Sequence, residues 1–374
     1  MFKPGAIVSR LTFRDKVFSL DIILIVSILL LGIISCFAMY STDGGEFAYH
    51  TKSHIVRFFI FFLLFFVVSF FSSNFWYNSS TIFYLIVLVL LILVKYFGLT
   101  SSGSQRWLNL YFLNLQPSEL MKIGLILFLA KYYHKISSTD VNRLKYLLQP
   151  LIALLVPVLL VVIQPDLGTS VLIAAGGIAV IWLAGVKMQF FAYFSIIFLS
   201  IAPVVISFLK PYQKSRILTF LDPSRDPLGA GYQITQSKIA IGSGGLFGKG
   251  FLNGSQSYLD YLPEKHTDFI FTLFSEEFGF FGSISILTLY MLITWRIVSI
   301  GNMVRSSFGK FYCYSFATAF FIYVVVNMGM VLGLIPIVGA PLPILSYGGS
   351  SMMAIMLGLG IAMSCGIHKD QVIG

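Results

Sequence analysis

Apolar residues in this chain come in blocks of roughly twenty, separated by short polar segments. Crossing bilayer hydrocarbon takes about 20 residues of helix, and in lipid every backbone polar group has to be paired within a helix or a closed barrel. The pattern predicts ten membrane-spanning helices, at 20–40, 54–71, 79–97, 119–134, 147–163, 169–186, 190–209, 269–295, 311–334 and 346–366. The alternation that marks the strands of a membrane barrel is missing. The expected fold class is an all-α polytopic membrane protein of about ten transmembrane helices. One integral membrane domain is expected over 1–374: helices 1–7 in 1–209, a large extracytoplasmic loop at 210–268, and helices 8–10 in 269–374. The fourth span is short and opens with Glu119 and Lys122, so it is the least regular crossing. Within the long loop, 232–241 mixes apolar and polar residues and reads as a short amphipathic helix on the membrane surface.

Composition agrees. Hydrophobic residues make up 57% of the 374 and charged residues 11%, against about 25% charged in a soluble domain. Lys3, Arg10, Arg14 and Lys16 precede an apolar run from Leu20 to Met39, too long for a signal-peptide core, which makes it a retained first helix. The formal charge of +10 is scattered over loops. It reads as the cytoplasmic excess of Lys and Arg that sets topology, not as a nucleic-acid surface. Both termini are expected in the cytoplasm, and 98–118, 164–168, 210–268 and 335–345 then share the outer face. Cys36, Cys313 and Cys365 fall inside apolar blocks, which argues against a disulfide framework or a metal site.

The unusual polar motifs all lie on that outer face. Gly103-Ser104-Gln105-Arg106-Trp107-Leu108 is followed by Gln116-Pro117-Ser118-Glu119-Leu120-Met121-Lys122. Trp107 suits an interfacial aromatic, Ser118 a helix cap, and Glu119 and Lys122, three apart, can pair on one helical face. Lys122 asks for more, because an ionisable group inside a span is costly and marks a cavity or a partner. Gln164-Pro165-Asp166-Leu167-Gly168-Thr169-Ser170 is a sharp turn in which Asp166 either caps the next helix or serves a site. The long loop carries Asp226-Pro227-Leu228-Gly229-Ala230-Gly231-Tyr232-Gln233, then Lys238 and the run Gly242-Ser243-Gly244-Gly245. Those glycines permit backbone amides to cradle an anion or sugar, and their spacing matches no nucleotide fingerprint. The loop ends in Pro263-Glu264-Lys265-His266-Thr267-Asp268. There Thr267 or Asp268 is either an ordinary N-cap, or Asp268 is a general base, with Glu264 and Lys265 to tune its charge or contact phosphate. Ser346-Tyr347-Gly348-Gly349-Ser350-Ser351 opens the last span, either as close helix packing or beside a lipid-headgroup site. On span eight, Gly279, Gly282 and Ser283 share one face suited to a partner helix.

Together, and in this order over essentially the whole chain, these segments resemble the SEDS family (shape, elongation, division and sporulation). Gln105-Arg106-Trp107, Asp226 to Gln233, Gln256-Ser257 and Val338-Gly339-Ala340-Pro341-Leu342-Pro343 are similar to RodA-type members rather than to the division type, FtsW. The resemblance implies a peptidoglycan glycosyltransferase of the bacterial cytoplasmic (inner) membrane that polymerises lipid II for elongation and rod shape. It implies Asp268 as the essential carboxylate, Trp107 as the matching tryptophan, and Glu119, Lys122 and Asp166 as polar residues around a central cavity; Arg106, Lys238, Glu264, Lys265, His266 and Ser346 are the further candidates for binding substrate. Inverting transfer then releases undecaprenyl pyrophosphate, whose charge cationic residues, loop amides or a divalent cation (Mg or Mn) stabilise. Expected partners are a single-span class B penicillin-binding protein and other elongation-complex membrane proteins. Two other readings remain open at this point: a lipid II flippase or transporter, which suits intramembrane charge, and a non-catalytic scaffold of the wall-synthesis complex.

Overall fold

The computed structural model describes residues 12–373 apart from 102–103, 110–113, 209–210, 223–224, 227–228 and 256–263. Gly103, Pro223, Pro227-Leu228, Gln256-Ser257 and Pro263 therefore lie outside the described residues. A short helix α1 (Phe13–Phe18), closed by a capping box between Thr12 and Asp15, leads into α2 (Ile22–Thr42), α3 (Tyr49–Phe70) and α4 (Ser73–Phe97). After a small sheet come α5 (Pro117–His134), α6 (Leu144–Ile163), α7 (Leu167–Leu183) and α8 (Met188–Phe208). The long loop holds α9 (Pro211–Leu221) and α10 (Ala230–Ser243), and α11 (Ile270–Met303), α12 (Ser307–Val331) and α13 (Gly349–Ile367) complete the chain. Each of the ten predicted spans falls on one of these helices, and among the described residues seven are by themselves long and apolar enough to cross a membrane.

Span four explains itself once its surroundings are known. Helix α5 packs against α4, α7, α12 and α13, and nearly every residue from Pro117 to Ala130 is buried. Lipid does not bathe it, so its charged residues need partners inside the protein and not hydropathy. Helix α13 is the other central element, 83% buried along its apolar window and packed on α3, α11 and α5. At the opposite end of α11 from the loop motifs, Arg296 pairs with Asp21, the N-cap of α2.

The sequence reading missed a sheet. Strands β1 (Leu99–Ser101), β2 (Ser104–Asn109) and β3 (Asn114–Leu115) form an antiparallel meander in the segment before α5. Leu99 lies opposite Trp107 and Leu108 opposite Leu115. Helix α10 was expected and is present. Ile234, Ser237 and Ala240 recur at helical spacing and are buried, turning one face onto α11 and α12.

Helix α11 is 34 residues long, about 51 Å at 1.5 Å per residue, and is broken at Gly279 by non-helical backbone (φ 64°, ψ −158°). A break frees backbone groups that have to be paired elsewhere. The glycine-rich turn pairs them. Phe280 N donates to Gly245 O at 2.9 Å and Phe281 N to Leu246 O at 3.2 Å, while Glu276 O accepts from Lys249 N and Glu277 O from Gly250 N, both at 3.0 Å. Gly248, at φ +80°, lies against the backbone of Glu277, and Gly279 against that of Leu246 and Gly248. Of the amides expected to cradle an anion, Gly244 N is given to Ala240 O and Gly245 N to Gly242 O, while the amides turned to the kink are those of Lys249 and Gly250. The same contact removes Gly279 from the expected partner face, and the Ser283 hydroxyl turns inward to Gly279 O and Ser275 Oγ.

Candidate active site

The segments expected to share one face meet there. Ser350 Oγ, in the first turn of α13, donates to Asn114 O at 2.7 Å and accepts from Gln116 N at 3.0 Å, joining the sheet to the last helix. Tyr347 N donates to His266 O at 2.8 Å, joining that helix entrance to the end of the long loop. Arg106 reaches across from β2, giving Nη2 to Pro165 O at 2.7 Å and bringing Nε to 3.5 Å from Asp166 Oδ2.

Asp166 is the expected cap, and its carboxylate has further partners. It caps α7 by accepting from Thr169 N at 3.2 Å and Thr169 Oγ1 at 2.8 Å, and it binds Arg106 and the Gln116 amide (3.2 Å). Glu119 and Lys122 pair as their spacing suggested, at 2.8 Å. The two atoms meet off the angle of a good hydrogen bond, so the attraction is chiefly electrostatic. The Lys122 ammonium also lies 3.9 Å from the centre of the Tyr323 ring, a favourable place for a desolvated cation. Glu119, Lys122 and Tyr323 line a cavity of about 20 Å³, room for about one water. The carboxylates of Glu119, Asp268 and Asp166 all lie within electrostatic reach of the Tyr323 hydroxyl. Tyr323 is thus the point on which three of the expected residues converge.

The 264–268 segment departs from expectation in one respect. Neither Thr267 nor Asp268 caps α11, whose N-cap is Phe269 with no side-chain capping bond. The segment turns on itself instead. Glu264 O accepts from Thr267 N and Phe269 N at 3.2 and 3.3 Å, and Glu264 Oε2 accepts from Thr267 Oγ1 at 2.9 Å. Asp268 is half-buried and its carboxylate faces Gly339 in the 335–345 segment. Its peptide carbonyl accepts from Asn327 Nδ2 at 3.1 Å, and the same nitrogen donates to Ala340 O at 2.7 Å. Asn327 is wholly buried and clamps the two chains between which Asp268 projects. It was missed by the sequence reading, although a lone amide inside an apolar block is a signal of its own.

Trp107 and Lys265 are half-buried on the same face. Lys238 is exposed on α10, with the end of its side chain against Gly333, and the structure gives it no contact with the cluster around Tyr323. The Ser346 hydroxyl is buried and accepts from Leu342 N at 2.7 Å, closing a turn instead of facing an opening.

His266 meets two residues that no local pattern links to it. Its Nε2 lies 2.9 Å from Asp43 Oδ1, and His50 Nδ1 lies 3.5 Å from the same oxygen. Burial holds the His266 imidazole below its usual pKa, outweighing the bond to Asp43. Burial works to raise the Asp43 carboxyl, but bonds from the Thr51 hydroxyl and amide and from His266 outweigh it and hold it below the usual range.

Over residues 16–371 the chain matches the sequence pattern of the FtsW/RodA/SpoVE family, described as cell cycle protein. The chain belongs to this family. Among FtsW/RodA/SpoVE relatives, the peptidoglycan glycosyltransferase MrdB of Escherichia coli K12 is 44% identical over 282 residues, 75% of each chain. Stage V sporulation protein E of Bacillus subtilis is 37% identical over 73% of this chain and 74% of its own. Among solved structures, a chain from work on how a peptidoglycan synthase complex coordinates polymerisation and crosslinking superposes with a TM-score of 0.79 at 29% identity, covering 94% of this chain and 98% of that one. The rod shape determining protein RodA of Thermus thermophilus superposes with a TM-score of 0.71 at 26% identity, covering 94% and 98%. The polytopic helical fold expected from the apolar blocks is that of the FtsW/RodA/SpoVE family, and the chain is a multi-pass membrane protein.

Proposed function

We propose that this chain polymerises lipid II into β-1,4-linked glycan on the outer face of the cytoplasmic membrane, with Asp268 as general base. Its family and the glycosyltransferase activity of its relative MrdB support the activity. The observation that carries the assignment is the position of Asp268. It sits on non-helical residues at the mouth of α11, is not spent as a helix cap, and is fixed through its own carbonyl by Asn327. In the reaction the acceptor's GlcNAc 4-hydroxyl attacks the anomeric carbon of the donor's MurNAc. Its proton passes to the Asp268 carboxylate as the bond from that carbon to the pyrophosphate breaks. Attack from the back face of an α-linked diphosphate gives the β product by inversion, and undecaprenyl pyrophosphate carries away the negative charge. Arg106 and Lys265 are the cations best exposed to that charge, whereas Lys122 is enclosed with Glu119. In this reading Trp107, Glu264 and His266 contact the same substrate.

Both termini face the cytoplasm in this reading, and a single-span transpeptidase supplies crosslinking. The likeness to a chain from a coordinated synthase complex supports that partnership. The small cavity around Lys122 gives no passage for a lipid headgroup and disfavours the flippase reading. Asp268→Asn tests the assignment on purified protein supplied with lipid II. The substitution keeps size and polarity but cannot take the proton, so glycan synthesis falls about 10²–10⁴-fold while the melting temperature stays near wild type. Long glycan made by Asp268→Asn at a normal rate would exclude Asp268 as the base.

A further inference from the structure

Outside the cluster around Tyr323, His266 meets two side chains, Asp43 and His50, that have no part in the proposed transfer. Asp43 closes α2, His50 lies in the first turn of α3, and His266 comes from the far end of the long loop. Their ligating atoms, one carboxylate oxygen and two imidazole nitrogens, all lie within 4.8 Å of one another. We propose that Asp43, His50 and His266 form a binding site for one divalent transition-metal ion of the zinc type.

Three features support this beyond proximity. Two bonds of about 2.1 Å at a tetrahedral angle put their ligand atoms about 3.4 Å apart. The two distances to Asp43 Oδ1, 2.9 and 3.5 Å, bracket that value. The carboxylate is already oriented from behind, as ligating groups in metal sites are: Asp43 Oδ2 accepts from Thr51 Oγ1 at 2.6 Å and Thr51 N at 2.9 Å. This leaves Oδ1 turned to the two rings. The trio is also accessible. His50 is half-exposed, with 43% of its side chain open, and stacks on His266 with ring centres 4.2 Å apart. His266 offers the Nε2 lone pair with its proton on Nδ1.

The donor set selects the cation. Two imidazoles and one carboxylate suit Zn²⁺, Co²⁺ or Ni²⁺, whereas Mg²⁺ prefers oxygen ligands and keeps its waters. Three protein ligands leave a coordination position open to water or to a ligand oxygen. A bound ion would tie the turn between α2 and α3 to the segment two residues before Asp268. This is separate from the expected role of a divalent cation at the pyrophosphate, and it does not depend on the polymerase reading.

The test uses the full chain in detergent, without a histidine tag and stripped with chelator, titrated with Co²⁺ in the absence of lipid II. The expected result is one ion per chain with the visible absorption of four- or five-coordinate cobalt. Equimolar Zn²⁺ should displace it, whereas millimolar Mg²⁺ should not. His50→Ala and Asp43→Asn should each weaken binding at least tenfold, and Zn²⁺ should raise the melting temperature of wild type but not of His50→Ala. His50 is exposed enough that its removal leaves the fold intact, which its unchanged metal-free melting temperature checks. No saturable cobalt band, or equal affinity in wild type and both variants, would overturn the site.

Discussion

Replacing Lys122 by Met isolates the worth of the buried ion pair. The Lys122 and Glu119 side chains are 10% and 3% exposed and 2.8 Å apart, so removing the ammonium strands a carboxylate among Tyr323, Phe320 and Ile126. Breaking a buried pair from one side costs about 3–5 kcal/mol. At about 2–4 °C per kcal/mol for chains of a few hundred residues, Lys122→Met should melt on the order of 10 °C below wild type. Glu119→Gln with Lys122→Met removes both charges at once. Replacing a whole buried pair by neutral groups of similar volume is close to neutral, so the double variant should regain all but about 1 kcal/mol. Because Lys122 is enclosed and faces a cavity for one water, the double variant should also polymerise lipid II within tenfold of wild type. Thermal melts and glycan synthesis on the four proteins of the cycle decide the matter. A double variant that is stable yet inactive would show that the Lys122 charge acts on substrate, and one as unstable as Lys122→Met would show that the two charges are not coupled.

Asn327→Leu removes the clamp between Asp268 O and Ala340 O and leaves the buried Ala340 carbonyl without its donor, at about 1–3 kcal/mol, and the half-buried Asp268 carbonyl without its own. Turnover at saturating lipid II should fall at least tenfold with little change in KM, and an unchanged turnover number would mean that Asp268 holds its position without Asn327. The predicted orientation is checked with Phe247→Cys, at a loop residue 80% exposed, and Lys369→Cys near the C-terminus. An impermeant thiol reagent should label the first in intact cells and the second only after the membrane is opened, and the reverse pattern would invert the topology.

The positions of the spans were legible because hydrocarbon imposes one length and one chemistry on every crossing. Span four looked irregular for the same reason, since α5 is surrounded by helices and its Glu119 and Lys122 satisfy each other. The pairing of Asp166 with Arg106 was not readable, although both residues were singled out, because 60 positions of chain separate them and only the fold brings β2 to the start of α7. The link from Asp43 to His266 spans 223 positions and leaves no local pattern. The expected cap at Thr267 or Asp268 failed because Glu264 O takes the amides of Thr267 and Phe269, a turn that delays α11 to Ile270. The sheet escaped notice because its strands are two to six residues long, too short for alternation to register.

The seam between 244–250 and the break in α11 makes one part of the longest polar segment intolerant of changes in length. Exposed loops are where chains ordinarily accept insertions and tags. Here Gly245, Leu246, Lys249 and Gly250 each have a fixed partner on the helix, two on either side of Gly279. Adding or deleting one residue would slide the match and strand at least one backbone group against the helix. Among relatives, gaps should therefore fall before Ala230 or after Gly254, while this stretch keeps its length and the glycines that let the two backbones touch. A fluorescent or affinity insertion aimed at the outer loop belongs outside it for the same reason.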